Sequence, residues 1–128
     1  MAKILVVDDD QDMVFMIKSV LEKNGFEVAT SCDGHEALKA IKFNAPDLMI
    51  IDLTMPVMDG WRLSMKVRED ARYKELPIIV LSGLVAQEGR QTEPYEPYNI
   101  LIAKPFEIME LANKVNGLLN NFDKPRVC

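Results

Sequence analysis

The chain has 128 residues, 48% of them hydrophobic, with 15 Lys and Arg against 20 Asp and Glu for a formal net charge of −5. That length fits one domain able to bury roughly two thirds of its unfolded surface, so folding requires neither a disulfide nor a structural metal. The acidic balance opposes non-specific attraction to nucleic acid or anionic lipid, and no apolar stretch approaches the ~18 residues of a membrane span.

The first element is Ile4-Leu5-Val6-Val7, a branched apolar run that reads as a strand buried on both faces and ends abruptly at Asp8, Asp9 and Asp10. Met13, Met16, Ile17, Val20 and Leu21 then follow at helical spacing, closed by Asn24-Gly25 as a left-handed stop. Glu27 to Ser31 alternates and reads as an edge strand. Asp33, with Glu36 three positions on, predicts a capping box for a second helix that turns Ala37, Leu38 and Ile41 inward and ends near Asn44, before Pro46. Leu48 to Ile51 is another buried run, and Asp59-Gly60 opens a third helix carrying Leu63 and Val67.

Ile78 to Leu81 and Ile100 to Ala103 complete the strands. Between them lies "VAQEGRQTEPYEPYN", where Gly89, Pro94 and Pro97 predict a short helix of about two turns ending before Pro94, then an irregular loop. After Pro105 the stripe Ile108, Leu111, Ala112, Val115, Leu118 and Leu119 predicts a long terminal helix. The reading is one domain over residues 1–121, with no output domain after it, and a short tail at 122–128.

Strands alternating with helices make an α/β fold, and right-handed crossovers of this length wind it into an open parallel sheet. We expect the flavodoxin-like (βα)5 order 2-1-3-4-5, with a shortened or irregular fourth helix. Ligands of such sheets sit beyond the carboxyl ends of the strands, where the winding reverses. There the expected topology gathers Asp8 and Asp9 after strand 1, Asp52 after strand 3, Ser82 after strand 4 and Lys104 after strand 5.

One Asp after a strand is ordinarily a turn former or helix cap, but a convergent set is different. Two carboxylates about 4 Å apart repel by on the order of 4 kcal/mol at an effective dielectric near 20, so three need a cation. All-oxygen donors without nearby Cys or His favour a hard ion, and a small site that keeps waters and engages phosphate favours Mg2+ over Ca2+ or Zn2+. The three acids, the metal and Lys104 then balance to zero formal charge. Such a set suits phosphoryl transfer, in which cations balance the equatorial oxygens while an oxygen attacks in line. Asp52 is the candidate nucleophile and phosphoacceptor; Asp8, Asp9, Asp52 and the Thr54 main-chain carbonyl are candidate metal ligands, and Ser82 and Lys104 candidate phosphoryl contacts.

The stretches "ILVVDDD" at 4–10, "DLMIIDLTMPVMDG" at 47–60, "LPIIVLSG" at 76–83 and "KPF" at 104–106 resemble the receiver domain of two-component response regulators, especially the single-domain chemotaxis and sporulation-relay regulators. The resemblance spans about residues 2–121. It implies that Asp52 accepts a phosphoryl group from a phosphohistidine on a sensor histidine kinase or histidine phosphotransfer protein. It also implies that Ser82 and Lys104 close on that group, and that a face built from helix 4, strand 5 and helix 5 changes its preference for a downstream protein target. Such a domain is a signalling switch that catalyses only its own phosphotransfer and dephosphorylation. The Lys104–Pro105 bond is implied to be cis, a form an X-Pro bond tolerates at roughly 0.5–1 kcal/mol.

Two features depart from that pattern. Leu101 occupies the place of the usual switch aromatic, and the doubled "EPY" at 93–98 raises Tyr95 or Tyr98 as a substitute or a partner contact, against the plainer reading of a surface connection. A pseudo-receiver that is never phosphorylated rests on these departures alone. A haloacid-dehalogenase-like phosphatase would need a second Asp two residues after the nucleophile, where this chain has Thr54. His35 reads as a surface side chain, Trp61 as a partly exposed helix residue near the site, and the methionines mostly as core filler. Cys32 and Cys128 follow no metal or disulfide spacing. Together with an N-terminus lacking a signal-peptide pattern, they suit a cytoplasmic protein.

Overall fold

Continuous apolar runs need cover on both faces, and the computed structural model, which describes residues 2–55, 58–83 and 97–123, supplies it. Strands β1 (Lys3–Val7), β2 (Glu27–Ser31), β3 (Leu48–Asp52), β4 (Ile78–Ser82) and β5 (Ile100–Ala103) pair in parallel in the order β2-β1-β3-β4-β5. Every residue of the central β3 and β4 is buried, whereas β2 at one edge is mostly exposed.

Alternate residues of each strand serve opposite layers, as the two-residue period of a strand requires. Ile4, Val6, Leu48, Ile50, Ile79 and Leu81 pack with α1 (Gln11–Lys23) and the C-terminal helix (Ile108–Asp123). Leu5, Val7, Met49, Ile51, Ile78 and Val80 pack with α2 (Gly34–Phe43) and α3 (Gly60–Glu69). The flavodoxin-like α/β architecture expected from the sequence is thus present.

Local signals account for the helix ends. Asp10, third of the opening acids, is the N-cap of α1 and accepts from the N–H groups of Asp12 and Met13. Gly25, at φ +92°, takes the left-handed conformation that stops the helix. Asp33 caps α2 through the Glu36 N–H, while Glu36 Oε1 accepts from the Cys32 N–H. Asp59 caps α3 through the Arg62 N–H.

Three expectations need correction or qualification. The buried stripe of α1 is Val14, Ile17 and Leu21, with the expected Met13 and Val20 half-buried against the same layer, whereas Met16, expected inward, is 49% exposed. A 3-10 turn at Ala71–Tyr73 joins α3 to β4 without having been foreseen. The C-terminal helix runs to Asp123, past residue 121. The short fourth helix and Tyr95 fall outside the described residues. Among the described residues no helix is long and apolar enough to cross a membrane.

Candidate functional site

Sheet register brings the acids together. Val7 pairs with Ile51, so Asp8 and Asp52, each the next residue, leave neighbouring strands side by side. On the other flank Ser82 pairs with Ala103, and the next residue is Lys104, whose N–H donates to the Ser82 carbonyl at 2.7 Å. Carboxylate oxygens from Asp8, Asp9 and Asp52 all lie within 4.8 Å of one another. Asp8 and Asp52 are buried and Asp9 is exposed, so the cluster opens to solvent on one side.

Lys104 enters this cluster from β5. Its Nζ donates to Asp52 Oδ1 at 3.3 Å and stands 4.0 Å from Asp8 Oδ2. Asp52 Oδ1 also accepts from the Thr54 N–H at 3.3 Å, which fixes the start of the turn after β3, where Thr54 is exposed between the buried Leu53 and Met55. The fully buried Ser82 hydroxyl donates to the Gly83 carbonyl at 2.8 Å. The Lys104–Pro105 bond is cis.

Asp8 carries the electrostatic tension. Its Oδ1 accepts from the Asp10 N–H at 2.9 Å, whereas its buried Oδ2 has no hydrogen-bond donor among the described residues. Burial pushes the Asp8 carboxyl up to about 6; the Asp10 N–H and the Lys104 charge oppose the rise, and the Asp52 charge adds to it. A buried, undonated carboxylate oxygen beside a second buried carboxylate is unfavourable without more positive charge. The donor set of three carboxylates fits a hard divalent ion.

Gly60 contributes backbone proximity that its place after Asp59 only hinted at. Its N–H donates to the Leu53 carbonyl at 2.8 Å, and a Cβ there would press on the Asp52 carbonyl oxygen and come within 2.7 Å of Leu53 Cα. α3 thus starts directly against the chain that carries Asp52. Trp61, next along, is half-buried against the core. His35 is exposed on α2. A second group, Cys32, Asp33 and Glu36, also clusters, but Asp33 and Glu36 there accept the N–H groups of the α2 cap.

A doubly wound parallel sheet with acids, a hydroxyl and an ammonium at one rim defines the class of flavodoxin-like signalling domains. Residues 4–116 match the family model of the response regulator receiver domain, and the chain belongs to that family, the signalling domains of two-component systems. It is 37% identical over 117 residues to the transcriptional regulatory protein PrrA of Mycobacterium tuberculosis, which covers 91% of this chain and 49% of that protein. The chain therefore spans about half the length of the curated relatives it matches first. A putative response regulator from Chloroflexus aurantiacus superposes with a TM-score of 0.84 at 36% identity, covering 92% of this chain and 97% of that one. The chemotaxis response regulator CheY4 of Vibrio cholerae does so at 0.84 and 33%, covering 92% and 98%.

Proposed function

We propose that this domain is a phosphorylation-driven switch: Asp52 accepts a phosphoryl group from a phosphohistidine donor with the help of Mg2+, and the protein-binding surface changes in response. The observation that carries this reading is the meeting of Lys104 Nζ with Asp52 Oδ1 at 3.3 Å, beside Asp8 and Asp9, at one edge of the sheet.

In this reading an Asp52 carboxylate oxygen attacks phosphorus in line, forming the acyl phosphate as the bond to the donor imidazole breaks. Asp8, Asp9, Asp52 and the Thr54 main-chain carbonyl hold the Mg2+, which when bound offsets charge on the phosphoryl oxygens. Lys104 follows the developing charge from its present place on Asp52, and the Ser82 hydroxyl exchanges the Gly83 carbonyl for a phosphoryl oxygen. The small site thereby becomes a two-state element biased by one added charge.

The donor is a sensor histidine kinase or histidine phosphotransfer protein, and the output is a downstream protein target in the cytoplasm, without direct contact to nucleic acid or membrane. Tyr95 or Tyr98 takes up the part left by Leu101 or meets the partner, and Tyr98 is half-buried against the core just before β5. The deciding experiment is incubation with Mg2+ and acetyl phosphate followed by intact mass measurement. A phosphoryl adduct on the wild type, absent from Asp52→Asn and from chelated samples, supports the switch; its absence from the wild type rejects it in favour of a non-phosphorylated interaction module.

A further inference from the structure

Arg68 lies in the last turn of α3, and its guanidinium gathers the chain at the far end of β5 from the acids. Its Nε donates to the Pro97 carbonyl at 2.8 Å, and its Nη1 to the carbonyls of Tyr73 at 2.8 Å and Leu76 at 2.7 Å. Its Nη2 donates to Asn99 Oδ1 at 3.0 Å. That same Asn99 oxygen accepts from the Ile78 N–H at 2.8 Å, while the Asn99 N–H donates to the Ile78 carbonyl at 2.8 Å. Asn99 and Ile78 are therefore locked together where β4 and β5 begin, and Arg68 holds the lock.

β5 has need of such a device. It is four residues long, and Ile102 alone among them is fully buried; Ile100 and Leu101 are half-buried and Ala103 is exposed. Only Ile100 and Ile102 seat this edge strand on the core, so few side-chain contacts specify its register, and a one-residue slip would turn every side chain to the other face. Lys104 follows directly, so its reach to Asp52 depends on that register. We propose that Arg68 is a positioning residue for Lys104: by pinning the entry of β5 it sets where the strand's exit delivers the ammonium. Asn99 and Lys104 are roughly 16 Å apart along an extended chain, so the influence passes through the strand rather than by contact.

This inference rests on the proposed role of Lys104, and its test separates the two. With 13C-lysine labelling, the Lys104 side-chain signal is identified by its loss in Lys104→Met. It is expected to shift in Arg68→Lys, Arg68→Met and Asn99→Leu. It should keep its wild-type position in Asn99→Asp, whose carboxylate still accepts from Ile78 and Arg68, and in Val28→Ala, which loosens β2 at the opposite edge of the sheet. Phosphoryl uptake from acetyl phosphate should fall about tenfold in Arg68→Lys, with no further loss when Lys104→Met is already present. An unmoved Lys104 signal in folded Arg68→Lys or Asn99→Leu would overturn the proposal, and so would an equal shift in Val28→Ala. Should Arg68→Met fail to fold, the two milder variants decide. A wild type that takes up no phosphoryl group counts against the switch itself, while the lysine signal still decides the positioning.

Discussion

Lys104 reaches Asp52 across the sheet edge, its Nζ donating to Oδ1 at 3.3 Å from a strand that does not pair with β3. β4 lies between them, so the contact spans two inter-strand spacings and commits a long, costly side chain to one conformation. Its electrostatic return is the partial neutralisation of two buried carboxylates.

That return has a cost for cation binding, because the ammonium repels any metal held by the same acids. Lys104→Met is therefore expected to bind Mg2+ about tenfold more tightly than wild type while taking up phosphoryl groups more slowly. Such a gain needs only about 1.4 kcal/mol, less than the ~4 kcal/mol that two unit charges 4 Å apart exchange at an effective dielectric near 20. Calorimetric titration with MgCl2 checks it; equal or weaker binding would show that Lys104 does not share the cation's field.

Asp8→Asn addresses the opposite partner. Asp8 is fully buried with an undonated Oδ2, and a neutral amide there removes the repulsion with Asp52 and offers an N–H to it. In chelator above pH 6 the variant should melt a few degrees higher than wild type, as gains of about 1 kcal/mol produce in domains of this size. It should also lose most of the stabilisation that Mg2+ confers by binding the folded state. A variant that melts lower without metal would mean that the Asp8 charge is well compensated by the protein alone.

The same carboxyl sets a pH dependence. Its folded pKa, pushed up by burial to about 6, lies above the ordinary value of 3.8. A group raised on folding contributes stability that is fully present below the unfolded value and is lost as pH rises through the folded one. In chelator, wild type should therefore lose stability relative to Asp8→Asn between about pH 4 and pH 6. With Mg2+ the trend reverses: ligands must be deprotonated to bind, so the Mg2+-induced rise in Tm should shrink as pH falls below about 6. Melting curves of both proteins across that range, with and without metal, read both effects.

Much of this geometry was legible because the buried parallel strands write themselves as unbroken apolar runs. Leu48–Ile51 and Ile78–Leu81 admitted no helix, and counting to the residue after each run located Asp8, Asp52 and Lys104 at one rim. Helix starts were equally plain at Asp33 and Asp59, whose side chains satisfy N–H groups within their own first turns. What escaped depends on contacts between distant segments. Val14 and Met16 are both apolar, so composition could not decide which one the sheet would cover. Asp10, to which the sequence assigned no part in the site, is a helix cap. Arg68 sits in a helix turn with other charges, and nothing in its neighbourhood announces that its partners are carbonyls from Tyr73, Leu76 and Pro97.

Gly60 offers a test of how closely the helix start governs the site. The residue's conformation is ordinary, so its requirement is one of space: a Cβ would fall 2.7 Å from Leu53 Cα and closer still to the Asp52 carbonyl oxygen. Both obstacles are backbone and cannot rotate away, so Gly60→Ala must displace either α3 or the end of β3. Overpacking of this kind costs typically about 1–3 kcal/mol, and the displacement falls on the residue that carries the candidate phosphoacceptor. Gly25→Ala is the informative comparison. That glycine has open space around it but a φ of +92°, so the variant should cost about 1–2 kcal/mol through backbone strain and leave the acids undisturbed. Gly60→Ala is therefore expected to weaken Mg2+ binding and slow phosphoryl uptake beyond what its loss of stability explains, and Gly25→Ala to lower Tm with Mg2+ affinity intact. Equal Mg2+ affinities in the two variants, measured by titration on folded protein, would mean that the contact between α3 and β3 supports the fold without setting the site.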